Sequence, residues 1–117
     1  MGYKQLDERW LLQNLPGDRD FVAELLGLFA GQGAEALSVF NSALAASQLM
    51  GVREQAHKIK GSAAALGLQA VTESMAELEK TVREGSEFPL VAPLLKRGMS
   101  LLHEVLRDID DYVKKNN

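Results

Sequence analysis

His57 and Lys60 are the residues of this sequence whose types and spacing are best suited to chemistry. They stand in the segment His-Lys-Ile-Lys-Gly-Ser-Ala-Ala-Ala-Leu-Gly, which runs from His57 to Gly67. On a helix, residue i+3 lies on the same face as residue i, so Lys60 can reach a group carried by the His57 ring. A neutral imidazole nitrogen is a nucleophile, and a phosphoryl group placed on it would carry close to two negative charges. The segment therefore suits the temporary holding of a phosphoryl group.

The direction of His57 follows from the helical turn of about 100° per residue. With His57 at 0°, the apolar residues of the same helix fall between about 180° and 260°; they are Val52, Ala56, Ile59, Ala63 and Leu66. We therefore expect His57 to face solvent, opposite a buried stripe. Arg53, Lys60, Gly61 and Ala64 lie on the side of His57, within about 60° of it.

Each of these four neighbours has an expected role. Lys60 would contact phosphate oxygens from one side, and Arg53, at i−4, would do so from the other. Gly61, at i+4, costs roughly 1 kcal/mol relative to alanine in a helix, and its missing Cβ would let a partner's active site approach. Ala64 leaves the same path open one turn further on. We assign no acidic residue of this helix to the second ring nitrogen, which we expect water or a neighbouring helix to hold.

Helical periodicity over nearly the whole chain predicts an all-α fold, an antiparallel four-helix bundle with a short additional N-terminal helix. The short helix contains Trp10 and ends at Pro16-Gly17, a long helix begins at Asp18 or Asp20, and the histidine helix ends at Gly67. Two further helices carry the stripes Val71 to Val82 and Leu94 to Val113. In the long helix we expect an apolar face made of Phe21, Leu25, Leu28, Phe29, Ala36, Val39, Phe40, Ala43 and Leu44.

Composition narrows the class of protein. The 117 residues predict one domain over 1–117, with the bundle at about 18–115. The chain has no cysteine, which excludes disulfides and thiolate chemistry, and its net charge of −3 argues against a basic face for nucleic acid. No apolar run is long enough to cross a bilayer. We expect a cytoplasmic monomer that neither binds nucleic acid nor inserts into a membrane.

The segment resembles the signature of histidine-containing phosphotransfer (HPt) domains, roughly His-x-x-Lys-Gly-Ser-Ala-x-x-x-Gly. The resemblance extends to a central Phe29 in the preceding helix and to Leu78-Glu79 before a turn at Gly85, so that it covers roughly residues 18 to 110. It implies that His57 accepts a phosphoryl group from an aspartyl phosphate on a receiver domain and passes it to another receiver.

The resemblance also implies a division of labour between this chain and its partners. Receiver domains of response regulators or hybrid sensor kinases would bring Mg²⁺ and the acidic pocket, so no cofactor is expected in this chain. It would be a phosphocarrier without an ATP site of its own, and it contains neither a GxxxxGK[ST] loop nor a kinase-type glycine loop.

The same residues allow three other interpretations. A histidine-kinase dimerisation helix usually has an acidic residue directly after its histidine, whereas Lys58 stands here. A helical adaptor or dimerisation bundle would explain the apolar stripes but not the small and cationic residues around an exposed histidine. A metal site would need more than His57 and His103, which lie on different helices. We expect the acidic groups of the last two helices to be solvated surface; they are Glu77, Glu79, Glu84, Asp108, Asp110 and Asp111.

Overall fold

The computed structural model describes residues 2–116, and in that range its regular secondary structure is helical, with no strand. The prediction of an all-α fold is confirmed. The five helices are α1 (Glu8–Asn14), α2 (Arg19–Ala46), α3 (Val52–Ala65), α4 (Gln69–Arg83) and α5 (Phe88–Lys115). None of the helices between residues 2 and 116 combines the length and the apolar character needed to cross a bilayer.

Polar side chains and glycines set the ends of these helices. Asp7 begins α1 by accepting a hydrogen bond from the Trp10 amide at 3.0 Å, and Asp18 begins α2 by accepting one from the Phe21 amide at 3.1 Å. Of the two predicted caps, Asp18 rather than Asp20 takes this role. Gly67, with φ of 69°, follows α3 and turns the chain into α4.

The four longer helices contact one another in a ring. α2 packs against α3 and α5, and α4 packs against the same two helices, while α1 contacts α2. α2 and α5 have 28 residues each, whereas α3 has 14 and α4 has 15. At 1.5 Å per residue, the α3–α4 pair therefore reaches about half the length of the long helices.

The N-terminal segment ties the α3–α4 turn and α5 together. The Trp10 ring packs on Gly67, and the Asp108 carboxylate of α5 accepts hydrogen bonds from the amides of Gln5 and Leu6 at 2.7 and 3.2 Å. The expectation that Asp108 is solvated surface is wrong, because two backbone amides of the N-terminal segment, far from Asp108 in sequence, donate hydrogen bonds to it.

The buried face of α3 is the predicted one. Val52, Ala56, Ile59 and Ala63 are fully buried, with Leu66 nearly so. Burying one large aliphatic side chain such as Ile59 contributes about 1.5–3 kcal/mol, so this stripe fixes the rotation of α3 about its axis. The residues on its opposite side are thereby held toward solvent.

The buried face of α2 differs from the predicted one in its first half. Phe21 and Leu28 are 39% and 64% exposed, while Val22 and Leu26 are fully buried in their place. This half of α2 carries apolar residues on every side, so periodicity allows two registers. The observed register alternates spacings of four and three residues, through Val22, Leu26, Phe29, Gly33, Ala36, Phe40 and Ala43.

Substitution of Gly67 by alanine should destabilise the fold more than the same change at Gly85. Both glycines have positive φ, so each change costs about 1–2 kcal/mol of backbone strain. At Gly67 the new Cβ would also lie 2.6 Å from the Trp10 ring, whereas at Gly85 it would meet nothing within 4 Å. We expect Gly67→Ala to lower the free energy of unfolding, measured in urea, by about 1–3 kcal/mol more than Gly85→Ala. Equal decreases in the free energy of unfolding for the two variants would show that the contact between Trp10 and Gly67 contributes nothing to stability.

Candidate functional site

His57 projects from the solvent side of α3. Its side chain is 71% exposed, and the fully buried Ile59 lies two residues further along the same helix. The structure thus places the ring as the helical geometry predicts, within reach of a partner.

The Nδ1 atom of His57 lies 2.6 Å from Oε2 of Glu79 on α4. The other oxygen of the same carboxylate, Oε1, accepts a hydrogen bond from Nζ of Lys60, also at 2.6 Å. Glu79 therefore bridges the two residues of α3 that the sequence singles out. Of the two predicted holders of the second ring nitrogen, water or a neighbouring helix, the structure shows the neighbouring helix.

Glu79 is buried, with a side chain only 8% exposed, so the expectation that it is solvated surface is wrong. Its neighbours Glu77 and Glu84 are exposed, as predicted. The difference arises because Glu79 sits at the edge of the α4 stripe, where α3 covers it, and because Lys60 and His57 satisfy both of its oxygens. A buried carboxylate is tolerated when it is paired in this way.

Electrostatics fix the proton on the His57 ring. The hydrogen bond from Lys60 is the largest cause that lowers the pKa of Glu79, and the one from His57 lowers it further, against the opposing effect of burial. Glu79 is therefore ionised near neutral pH and can only accept hydrogen bonds. Nδ1 of His57 must then be the donor, and in the neutral ring the lone pair lies on Nε2.

A cleft of about 540 Å³ opens beside His57. Arg53 and Glu54 of α3 and Glu79 and Arg83 of α4 line it together with the histidine. Arg53 is thus brought to the site as the sequence predicts. Lys60 is also there, but its ammonium group is engaged with Glu79 and its side chain is 34% exposed.

The small residues leave the surface of α3 open. Gly61 is exposed, and a Cβ built on it would meet nothing within 4 Å. Ala64 is exposed as well and lies further along the helix, where it lines a second cleft with Trp10. His103 is an exposed residue of α5 and does not line the His57 cleft.

Sequence reasoning missed two residues of this site, Glu79 and Arg83. Only the Leu78-Glu79 dipeptide gave a signal for the first, and it came through the resemblance rather than through residue chemistry. Arg83 gave no such signal, because basic residues are common in the last turn of a helix, where they interact favourably with the helix dipole.

These features define an all-helical protein in which the imidazole of His57 faces solvent with a fixed tautomer and with small residues nearby. Comparison with protein families matches residues 24–112, more than half of the chain, to the Hpt domain. The chain belongs to the Hpt domain family, whose members act in histidine phosphotransfer within two-component phosphorelays. Neither the comparison with curated proteins nor that with solved structures gives a match.

Replacement of Glu79 by glutamine should change how stability depends on pH. Because the pKa of Glu79 is lowered from its ordinary 4.5 in the folded state, the unfolded chain binds this proton first as pH falls. The stabilisation is complete above about pH 4.5 and is lost as pH falls through the lower folded value. We expect Glu79→Gln to cost on the order of 1–3 kcal/mol near pH 7 and progressively less below about pH 4.5, measured by urea unfolding.

The exposed Glu77 on the same helix provides the matched control. Glu77→Gln should leave the pH dependence of unfolding close to that of the wild type. An identical pH dependence in Glu79→Gln and Glu77→Gln would contradict the pairing of Glu79 with Lys60 and His57.

Proposed function

We propose that this chain is a phosphohistidine intermediate of a two-component phosphorelay. It accepts a phosphoryl group on His57 from the aspartyl phosphate of one receiver domain and passes it to another receiver. The observation that carries the proposal is the hydrogen bond between His57 Nδ1 and Glu79, which leaves the lone pair of an exposed ring on Nε2.

The transfer balances without an added proton or cofactor in this chain. The Nε2 lone pair attacks phosphorus, the new N–P bond forms, and the P–O bond to the aspartyl carboxylate breaks. The carboxylate leaves with that electron pair. Nδ1 keeps its proton throughout, and the positive charge that develops on the ring faces the Glu79 carboxylate 2.6 Å away. Transfer of the phosphoryl group from His57 to the aspartate of the second receiver is the same step in reverse: the P–O bond forms and the N–P bond breaks.

The neighbours of His57 support this step in different ways. Arg53 places positive charge beside the incoming phosphoryl group, and Lys60 lies near it with its ammonium group shared with Glu79. The open surface at Gly61 and Ala64 admits the edge of the receiver. The receiver brings the Mg²⁺ that stabilises the in-line transition state, so this chain works as a phosphocarrier and not as a kinase.

The same proposal includes the arrangement of the bundle. Neighbouring helices of the ring run antiparallel within one domain over 1–117, and the protein works as a cytoplasmic monomer. Short connections between α2 and α3, α3 and α4, and α4 and α5 support the antiparallel order. Contacts of Glu35 on α2 with the start of α3 support the same order. Its carboxylate lies 3.4 Å from the side-chain amide nitrogen of Gln55 and 3.8 Å from the ammonium group of Lys58.

Incubation with a phosphorylated receiver domain and Mg²⁺ tests the proposal. We expect acid-labile, base-stable phosphate to appear on the wild type and to vanish in His57→Gln, because the nucleophile is gone. His103→Gln is the matched control, since it removes the other histidine, an exposed residue outside the cleft, and should label like the wild type. Label that persists in His57→Gln, or its absence from the wild type with every receiver tried, would contradict phosphotransfer through His57.

Gly61→Ala tests in the same assay whether Gly61 belongs to the surface that the receiver approaches. The added Cβ meets no atom within 4 Å, so helix propensity should stabilise the fold by up to about 1 kcal/mol. In a phosphotransfer protein the same methyl group stands where the receiver approaches, and the initial rate of labelling should fall. If the stabilised variant takes label at the wild-type rate, Gly61 is not part of the docking surface.

A further inference from the structure

The pairing of Lys60 with Glu79 weakens the attraction that Lys60 can offer to a phosphoryl group on His57. A phosphoryl group on Nε2 brings close to two negative charges. Lys60, the lysine of the His-x-x-Lys pattern, is hydrogen-bonded to Glu79 at 2.6 Å, and this carboxylate carries a negative charge of its own. The Lys60–Glu79 pair is therefore nearly neutral as a unit and offers little net attraction to a dianion.

The cleft beside His57 holds two further cations on opposite walls, Arg53 on α3 and Arg83 on α4. Both are exposed, and neither forms a salt bridge with any carboxylate among residues 2–116. Glu54, which follows Arg53 on α3, lines the same cleft and offsets part of the Arg53 charge. On the α4 wall, Arg83 shares the cleft with Glu79, whose carboxylate is already hydrogen-bonded to Lys60, and the exposed Glu84 that follows Arg83 does not line the cleft.

The position of Arg83 on α4 is fixed by Glu79. Arg83 follows Glu79 by four residues, which places it one helical turn further on the same face. Because Glu79 is held against α3 by one hydrogen bond with His57 and one from Lys60, the turn that carries Arg83 is held beside the ring as well. A guanidinium group can bind two oxygens of a phosphoryl group at once, which an ammonium group cannot do.

We propose that Arg83 binds the phosphoryl group carried by His57, from the α4 wall of the cleft and opposite Arg53. The inference rests on the proposed function and adds to it a phosphate-binding residue that the sequence pattern does not indicate. The bond-making step is unchanged; Arg83 contributes two N–H donors to the phosphoryl oxygens and favours their doubly ionised form.

Titration of the phosphoryl group by ³¹P NMR tests this binding without a receiver in the complex. The chain is labelled on His57 with a phosphorylated receiver or, in parallel, with phosphoramidate, and is then freed of the donor. A neighbouring cation favours the dianion, so removal of Arg83 should raise the pH of the second ionisation by about 0.5–1 unit. Arg83→Lys should give an intermediate value, because it keeps the charge but loses the paired donors.

Lys80→Ala is the matched control, since it removes one exposed positive charge from the same last turns of α4 but from outside the cleft. It should titrate like the wild type. Equal midpoints for Arg83→Ala, Lys80→Ala and the wild type would overturn the role of Arg83 while leaving phosphotransfer intact. A wild type that takes label from neither donor would overturn both proposals. If Arg83 acted on the helix dipole alone, its removal would change the free energy of unfolding but not the ³¹P midpoint.

Discussion

The site depends on one buried carboxylate that is shared between two residues of the neighbouring helix. Glu79 accepts hydrogen bonds from His57 and Lys60, each at 2.6 Å, while its side chain is 8% exposed. Removing a charge from water is costly, and only good geometry with both partners offsets that cost. The requirement fixes the register of α3 against α4, because His57 and Lys60 must meet the two oxygens of a single side chain together. Loss of either partner would leave Glu79 buried with an unpaired oxygen.

The scaffold holds this pair of helices while leaving the ring accessible. The buried stripe of α3 keeps His57 on the outer side, and the packing of Trp10 on Gly67 braces the turn between α3 and α4. The amides of Gln5 and Leu6 anchor the N-terminal segment to Asp108 of α5. One edge of the imidazole is therefore fixed by the protein, and the rest of the ring is open to solvent.

The sequence predicts what depends on a single helix and misses what depends on how two helices meet. The outward direction of His57 and a cap at Asp18 or Asp20 follow from local geometry; the structure shows the first and, of the two caps, Asp18. Glu79 follows Met75 by four residues at the edge of a stripe, so its burial depends on which residues α3 places over it. The register of α2 is similarly open, since apolar residues surround its first half, and only packing in the bundle decides that Val22 and not Phe21 is buried.

The most direct test of the central claim is the tautomer of His57, read from two-bond ¹H–¹⁵N correlations of its ring at a pH where the ring is neutral. A carboxylate on Nδ1 predicts a protonated Nδ1 and an unprotonated Nε2 in the wild type, a mixture of tautomers in Glu79→Ala, and attachment of the phosphoryl group to Nε2 after labelling. A proton on Nε2 in the wild type, or a phosphoryl group on Nδ1, would contradict the claim that Glu79 selects the nucleophilic nitrogen.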